Sequence, residues 1–108
     1  MEQHNVVRAM HGAQPLILND TMSERAQQWS DHLASMPYPN ICLNHSGILG
    51  ENLYYEFAPK HVSEQVLADN TVVKFYEEIK QYDYKKPGFK VTTGHFSQLV
   101  QIFLVSLY

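Results

Sequence analysis

Histidines and carboxylates are the residues of this chain best suited to chemistry, so their spacing is considered first. The histidines stand at positions 4, 11, 32, 45, 61 and 95, and none of them pair around an acid as in the zinc motif HExxH. His45 precedes Glu51 by six residues across a glycine-containing loop, and His95 follows Gly94. Imidazole and carboxylate both suit divalent ions. Taken singly, each of these residues is more often structural than functional, so spacing alone does not define a site.

The first two segments of the chain have apolar residues at helical spacing. Both are expected to help position the histidines and carboxylates. A short helix is predicted over residues 4–10, followed by Gly12, which adopts positive φ without steric cost. A second helix is predicted to start at residues 21–24, TMSE, a capping box that satisfies two backbone N–H groups. Pro37 and Pro39 end it. Its apolar stripe, predicted to face the core, consists of Met22, Ala26, Trp29, Leu33 and Met36.

A third helix carries Glu78. Asn70 is predicted to cap its first turn, and residues 62–67 can add a helical turn before it. Its apolar stripe consists of Val73, Tyr76, Ile79 and Tyr82. Because Glu78 adjoins this stripe, it is expected next to buried surface.

The stretch GENLYYEF, residues 50–57, is predicted to form a half-buried β-strand. Leu53, Tyr55 and Phe57 alternate with Asn, Tyr and Glu, which is the period-two pattern of a strand with one buried face. Glu51 has the parity of the buried face. A carboxylate is therefore expected at the start of this strand, facing inward.

Composition and charge limit the classes of protein to be considered. The chain has 108 residues, 44% of them hydrophobic, which suits one domain with one core. Its net charge of −3 argues against nucleic-acid binding, because phosphate contacts need clustered Lys and Arg. The local basic cluster fits either a solvated helix C-terminus or a patch for an anionic membrane. The cluster consists of Lys80, Lys85, Lys86 and Lys90.

Compartment and membrane signals are few. The single cysteine, Cys42, excludes an intrachain disulfide and is expected to be a buried thiol. The N-terminal residues lack the apolar region of a signal peptide. The apolar run LVQIFLVSLY, residues 99–108, is about half of the roughly 20 residues that a membrane-spanning helix needs. We therefore expect a chain made in the cytosol without a spanning anchor.

Several short motifs follow one another in a recognisable order. They are HNVVR (4–8), HG (11–12), AQQWSDHLA (26–34), LNHS (43–46), GENLYYEF (50–57), VVKFYEEI (72–79) and GHFSQLV (94–100). Together they resemble the CAP family, which comprises cysteine-rich secretory proteins, antigen 5 and pathogenesis-related 1 proteins. The single cysteine, the PGF turn and the compact GHF segment make the chain most similar to the Golgi-associated branch of that family.

The resemblance implies an α+β fold, the α-β-α sandwich of the CAP domain, with residues 1–108 forming a single domain. The family pattern continues after GHFSQLV with Trp and two more strands, whereas here Gln101 replaces the Trp and Tyr108 is the last residue. We therefore expect a C-terminally truncated domain with a reduced antiparallel sheet. Because an isolated strand leaves both edges unpaired, residues 101–107 are predicted to pair beside GENLYYEF as a substitute strand.

The resemblance also implies that two histidines and two glutamates converge on a central cavity. They correspond to His45, Glu51, Glu78 and His95. We favour a site for zinc or another divalent cation, with His45 and His95 as ligands and with Glu51 and Glu78 as orienting groups or further ligands. A hydrogen-bonded network that only rigidifies the fold is the alternative. Asn52 is predicted to satisfy backbone groups beside the cavity.

The leading functional interpretation is a binding module without catalysis. Its cleft takes a divalent ion, and its surface binds lipid or an anionic membrane, as the Golgi-associated branch implies. The alternatives are a metal-assisted hydrolase or protease with a glutamate base, a triad built on Ser46, an interaction protein that forms a homodimer, or a truncated form without activity. The expected location is cytoplasmic or on Golgi membranes by resemblance, or extracellular as in most of the family.

Overall fold

Four α-helices and two short 3₁₀ turns form the regular structure of the described residues. The computed structural model describes residues 1–37, 43–47, 50–57 and 60–101. The helices are α1 (Glu2–Met10), α2 (Asp20–Ala34), α3 (Glu64–Glu77) and α4 (Gly94–Leu99), and the 3₁₀ turns are Glu78–Gln81 and Val91–Thr93. No helix within these ranges is long and apolar enough to cross a membrane.

The predicted α+β sandwich is wrong for the described residues, which contain no β-strand or sheet. Residues 51–57 have no regular secondary structure. Tyr55 and Phe57, predicted to be buried, are 63% and 83% exposed, whereas Tyr54 packs against the core. An alternating pattern forms a strand only when a second strand supplies its backbone partners, and none lies in the described ranges. The predicted substitute strand lies outside them except for Gln101, as does Cys42.

The ends of the first two helices depend on local capping. α1 ends at the predicted residue, and Gly12 follows it with a φ of +68°. α2 begins earlier than the predicted capping box, because the side chain of Asn19 accepts a hydrogen bond from the backbone N–H of Met22 at 3.1 Å. Asparagine is as effective an N-cap as serine or threonine. The predicted capping box at residues 21–24 is therefore wrong, although the predicted second helix is present as α2.

α3 is longer than predicted. Ser63 caps it, accepting a hydrogen bond from the backbone N–H of Val66 at 3.4 Å, and Asn70 lies inside the helix instead of at its start. The predicted stripe is also rotated by one position. Val73 is 55% exposed, and the buried residues of α3 are Val72 and Phe75. The face of α3 that packs on the core is thus defined by Val72 and Phe75.

The hydrophobic core lies where α1, α3 and α4 meet. Its buried residues are Val7, Val72, Phe75 and Leu99, against which Tyr54, Tyr76 and Val100 pack. Arg8 is fully buried beside this cluster. Its Nε donates to the carbonyl of Gln14 at 2.8 Å, and its Nη1 donates to the carbonyl of Leu99 at 2.9 Å. One guanidinium therefore ties the turn after α1 to the end of α4, 91 residues further along the chain.

α2 lies beside the core and makes at most marginal contact with the other helices of the described part. Leu33 is its buried residue, and Trp29, predicted to be core, is only half-buried. The Trp29 indole N–H donates to the carbonyl of Asn44 at 2.9 Å. The apolar side of α2 lines a groove of about 370 Å³ together with Leu53 and Phe75. This groove separates α2 from α3.

Candidate functional site

The four residues predicted to converge form two histidine–glutamate pairs. His45 Nδ1 lies 2.9 Å from Glu51 Oε1, and His95 Nδ1 lies 2.7 Å from Glu78 Oε1. An ionised carboxylate only accepts hydrogen bonds, so each neutral imidazole carries its proton on Nδ1. The two Nε2 atoms are left with a lone pair. This tautomer is the one that binds a metal through Nε2.

Glu51 is held by Ser46 as well as by His45. The Ser46 backbone N–H donates to Oε1 at 2.9 Å, and the Ser46 hydroxyl donates to Oε2 at 2.5 Å. Burial acts to raise the pKa of Glu51, but the two bonds from Ser46 and the neighbouring His45 outweigh it, so this pKa lies below its usual value. The ionised carboxylate thus stabilises the fold above its unfolded-state pKa. That contribution disappears as the pH falls through the lower folded-state pKa.

The second pair is built where α3 ends and α4 begins. Glu78 starts the 3₁₀ turn after α3, and its Oε2 accepts a hydrogen bond from the backbone N–H of Phe96 at 3.1 Å. The His95 ring stacks on Phe75 with centroids 4.8 Å apart and planes inclined by 7°. The carboxylate and the stacking ring together fix the orientation of the His95 imidazole.

The histidines of both pairs line one cleft of about 860 Å³. Glu51 lines it as well, whereas Glu78 is not among the lining residues. The side chains of His45 and His95 are 61% and 40% exposed. Across the described ranges, no three His, Cys, Asp or Glu side chains lie close enough together to hold a metal ion. Two imidazoles with available Nε2 atoms are fewer than the three or four protein ligands of the usual zinc sites, so an ion held here would need water or a bound molecule at its other positions.

Ser46 does not have the arrangement of a serine hydrolase. A catalytic triad runs from serine to histidine to acid, so that the imidazole can take the hydroxyl proton. Here the hydroxyl of Ser46 donates to Glu51, and His45 pairs with the same carboxylate. Glu51 therefore lies between Ser46 and His45, and its role is to orient both of them.

Two cleft residues escaped the sequence reasoning. Gln98 donates from Nε2 to the carbonyl of Gly50 at 2.7 Å, and His11 lines the cleft with its Nε2 3.1 Å from the Tyr76 hydroxyl. Gln98 lies one helical turn after His95, a spacing that could have indicated a shared face. His11 belongs to the HG motif at residues 11–12, but its approach to Tyr76 depends on how α1 packs on α3 and has no local signal. Asn52 does satisfy a backbone group, since its Nδ2 donates to the carbonyl of His95 at 3.2 Å.

Comparison with known proteins agrees with the motifs. The family described as the cysteine-rich secretory protein family, CAP, matches residues 1–101. The chain belongs to this family.

Its relatives include a human protein and two fungal proteins. The Golgi-associated plant pathogenesis-related protein 1 of Homo sapiens is 36% identical over 93% of this chain and 62% of its own length, which confirms the resemblance to that branch. "Repressed by EFG1 protein 1" of Candida albicans is 33% identical over 93% of the chain and 34% of its own length. Protein PRY2 of Saccharomyces cerevisiae is 32% identical over 93% of the chain and 27% of its own length. The chain thus spans less than two thirds of each relative. No solved structure matches it.

Proposed function

We propose that this chain is a CAP-domain binding module whose cleft takes a divalent metal ion such as Zn²⁺. The observation that carries this proposal is that the two histidines lining the same cleft each contact a glutamate through Nδ1. His45 and His95 each give Nδ1 to a glutamate, at 2.9 and 2.7 Å, and so each keeps Nε2 for a ligand. Carboxylates that hold metal-binding histidines in this way also raise the basicity of the imidazole.

The contacts of the two glutamates favour binding over metal-assisted hydrolysis. A general base must reach the water that it deprotonates. Both oxygens of Glu51 accept hydrogen bonds from Ser46. Glu78 is occupied by His95 and the Phe96 backbone, and it does not line the cleft. Both carboxylates are therefore engaged in orienting other groups. Retention of an ion or of a small ligand, with no chemical step, is the activity that this arrangement supports best.

Zinc binding should depend on both histidines. In calorimetric titration with Zn²⁺, we expect wild type to bind, and His45→Ala and His95→Ala each to lose more affinity than the roughly 100-fold cost of removing an orienting partner. Glu78→Gln weakens the hold on His95 and should reduce affinity about 10- to 100-fold. His61→Ala is the matched control, because His61 is exposed and does not line the cleft.

Three results would contradict the metal proposal. The first is no zinc binding by wild type, and the second is unchanged affinity in both His45→Ala and His95→Ala. The third is an equal loss in His61→Ala, which would show that the ion binds histidines nonspecifically.

Membrane-surface binding is a second function, favoured by the loop between the two 3₁₀ turns. Tyr84, Phe89 and Val91 are 62%, 78% and 87% exposed in or next to this loop, so three large apolar side chains lie close together in the sequence at the surface. Lys85, Lys86 and Lys90 are exposed among them, and the ion pairs of the described residues include none of these lysines. They lie outside any helix, so complementing a helix dipole does not explain them. Aromatic side chains interleaved with lysines suit the surface of an anionic bilayer.

The loop's contribution can be measured by vesicle sedimentation. Binding to phosphatidylcholine vesicles containing phosphatidylserine should weaken with salt, and the triple change of Lys85, Lys86 and Lys90 to Gln should reduce it about 100-fold, at about 1 kcal/mol per lysine. Lys74→Gln is the matched control, because Lys74 pairs with Glu77 at 3.2 Å on α3, away from the loop. Equal binding by the triple variant, or equal binding to neutral vesicles, would contradict the proposal.

A further inference from the structure

Two side-chain amides connect the two histidine–glutamate pairs across the cleft. Gln98, on α4, donates from Nε2 to the carbonyl of Gly50 at 2.7 Å. In the opposite direction, Asn52 donates from Nδ2 to the carbonyl of His95, also on α4, at 3.2 Å. Each bond joins residues more than 40 positions apart in the chain, 48 for the first and 43 for the second. Neither bond belongs to secondary structure, so each depends on one amide side chain.

The two hydrogen bonds lie on either side of Glu51 and attach it to the helix that carries His95. Glu51, which holds His45, lies between Gly50 and Asn52, so the segment is anchored to α4 on both sides of that glutamate. His95 and Gln98 are one helical turn apart on α4 and therefore share a face. Gly50 has a φ of +84°, a backbone conformation that glycine adopts without steric cost. In this conformation its carbonyl accepts the hydrogen bond from Gln98.

We propose that Asn52 and Gln98 are positioning residues, which we call the amide clasp, and that they set the separation of His45 and His95 so that both imidazoles can bind one ion. This inference rests on the proposed metal function. Each glutamate fixes the orientation of its own histidine, but neither glutamate connects its pair to the other. The amide clasp supplies that connection. Without it, each imidazole keeps its tautomer, and the two no longer act on the same ion.

The test is a double-mutant cycle with zinc affinity as the readout. Gln98→Met keeps the length of the side chain and removes the amide, and it is expected to weaken Zn²⁺ binding by about the same factor as His45→Ala, more than about 100-fold. In wild type, His45→Ala costs a large loss of affinity. In the Gln98→Met background the same change should cost little, because the two histidines are already uncoupled. Asn52→Leu should behave as Gln98→Met does.

The matched control is Gln65→Met. Gln65 also donates an amide N–H to a side chain, that of Asp69 at 3.0 Å, but on the exposed surface of α3. A merely structural role of Gln98 predicts that His45→Ala costs the same factor in wild type and in Gln98→Met. That result, or unchanged zinc affinity in Gln98→Met, would overturn the proposal.

A metal-free measurement separates failure of the amide clasp from failure of the metal function. In ¹⁵N relaxation experiments on the protein without zinc, Gln98→Met should increase the mobility of residues 50–52, and Gln65→Met should not. If wild type binds no zinc but these amides respond as expected, the metal function fails and the clasp stands as a structural connection. If the amides of residues 50–52 are unchanged in Gln98→Met, the clasp itself is refuted.

Discussion

Replacing Arg8 with methionine is expected to lower the free energy of unfolding by about 3 kcal/mol. Methionine retains most of the apolar stem but removes the donors to the carbonyls of Gln14 and Leu99, and an unsatisfied buried polar group costs roughly 1–3 kcal/mol. Relief from burying a charge offsets part of this loss. Urea unfolding followed by circular dichroism would measure the change.

The second arginine of the chain provides the control for Arg8. Arg25 lies on α2 and is exposed, so Arg25→Met should alter the free energy of unfolding by no more than about 0.5 kcal/mol. If Arg8→Met and Arg25→Met were equally stable, the two hydrogen bonds of Arg8 would not hold the core together. If Arg8→Met prevents expression, Arg8→Lys, which keeps a charge but not the two-armed donor geometry, would supply the comparison.

Phe75 is expected to couple the core to the site, so two substitutions there should have different effects. Phe75→Ala leaves a cavity among Val7, Val72 and Leu99 and should cost about 3–5 kcal/mol of unfolding free energy. Phe75→Leu keeps an apolar side chain and should cost about 1 kcal/mol. It removes the flat ring on which His95 stacks at 4.8 Å, so zinc affinity should fall about 10-fold while the fold persists.

Urea unfolding and zinc titration of the Phe75 variants separate these two roles. Phe57→Ala is the control, because Phe57 is 83% exposed and should change the unfolding free energy by about 0.5 kcal/mol or less. A Phe75→Leu protein with wild-type zinc affinity would show that the stack does not position His95. A Phe75→Ala protein as stable as Phe57→Ala would show that the buried cluster is not the core.

The helices were largely predictable because their information is local. Apolar spacing and capping chemistry lie within a few residues, and they indicated α1, α2 and α3. The errors arose where two nearby residues compete for one role. Asn19 takes the cap expected of the 21–24 box, and Ser63 takes the cap expected of Asn70. Sequence alone does not rank two good caps. The stripe predicted for α3 also included Val73, which is 55% exposed, whereas the neighbouring Val72 is buried.

The prediction of a β-strand at residues 50–57 was wrong for a different reason. Alternation describes how one segment would be buried, whereas a strand also needs a partner from elsewhere in the chain. The described ranges supply helices beside this segment instead, so Tyr54 turns to the core and Tyr55 and Phe57 to solvent. The candidate site residues were named through the resemblance, because their spacing did not bring them together. Long-range contacts such as that of Gln98 with Gly50 have no local signature.

The isolation of α2 has a consequence for how the molecule opens. α1, α3 and α4 share a buried cluster, and the guanidinium of Arg8 joins the turn after α1 to α4. In the described residues, α2 is attached through Leu33, the Trp29 bond to Asn44 and one side of a groove. Few buried apolar contacts mean a low free energy of subglobal opening. From the contacts of the described residues, we therefore expect α2 to leave the groove at a lower free energy than that needed to open the body of α1, α3 and α4 with its His95–Glu78 pair.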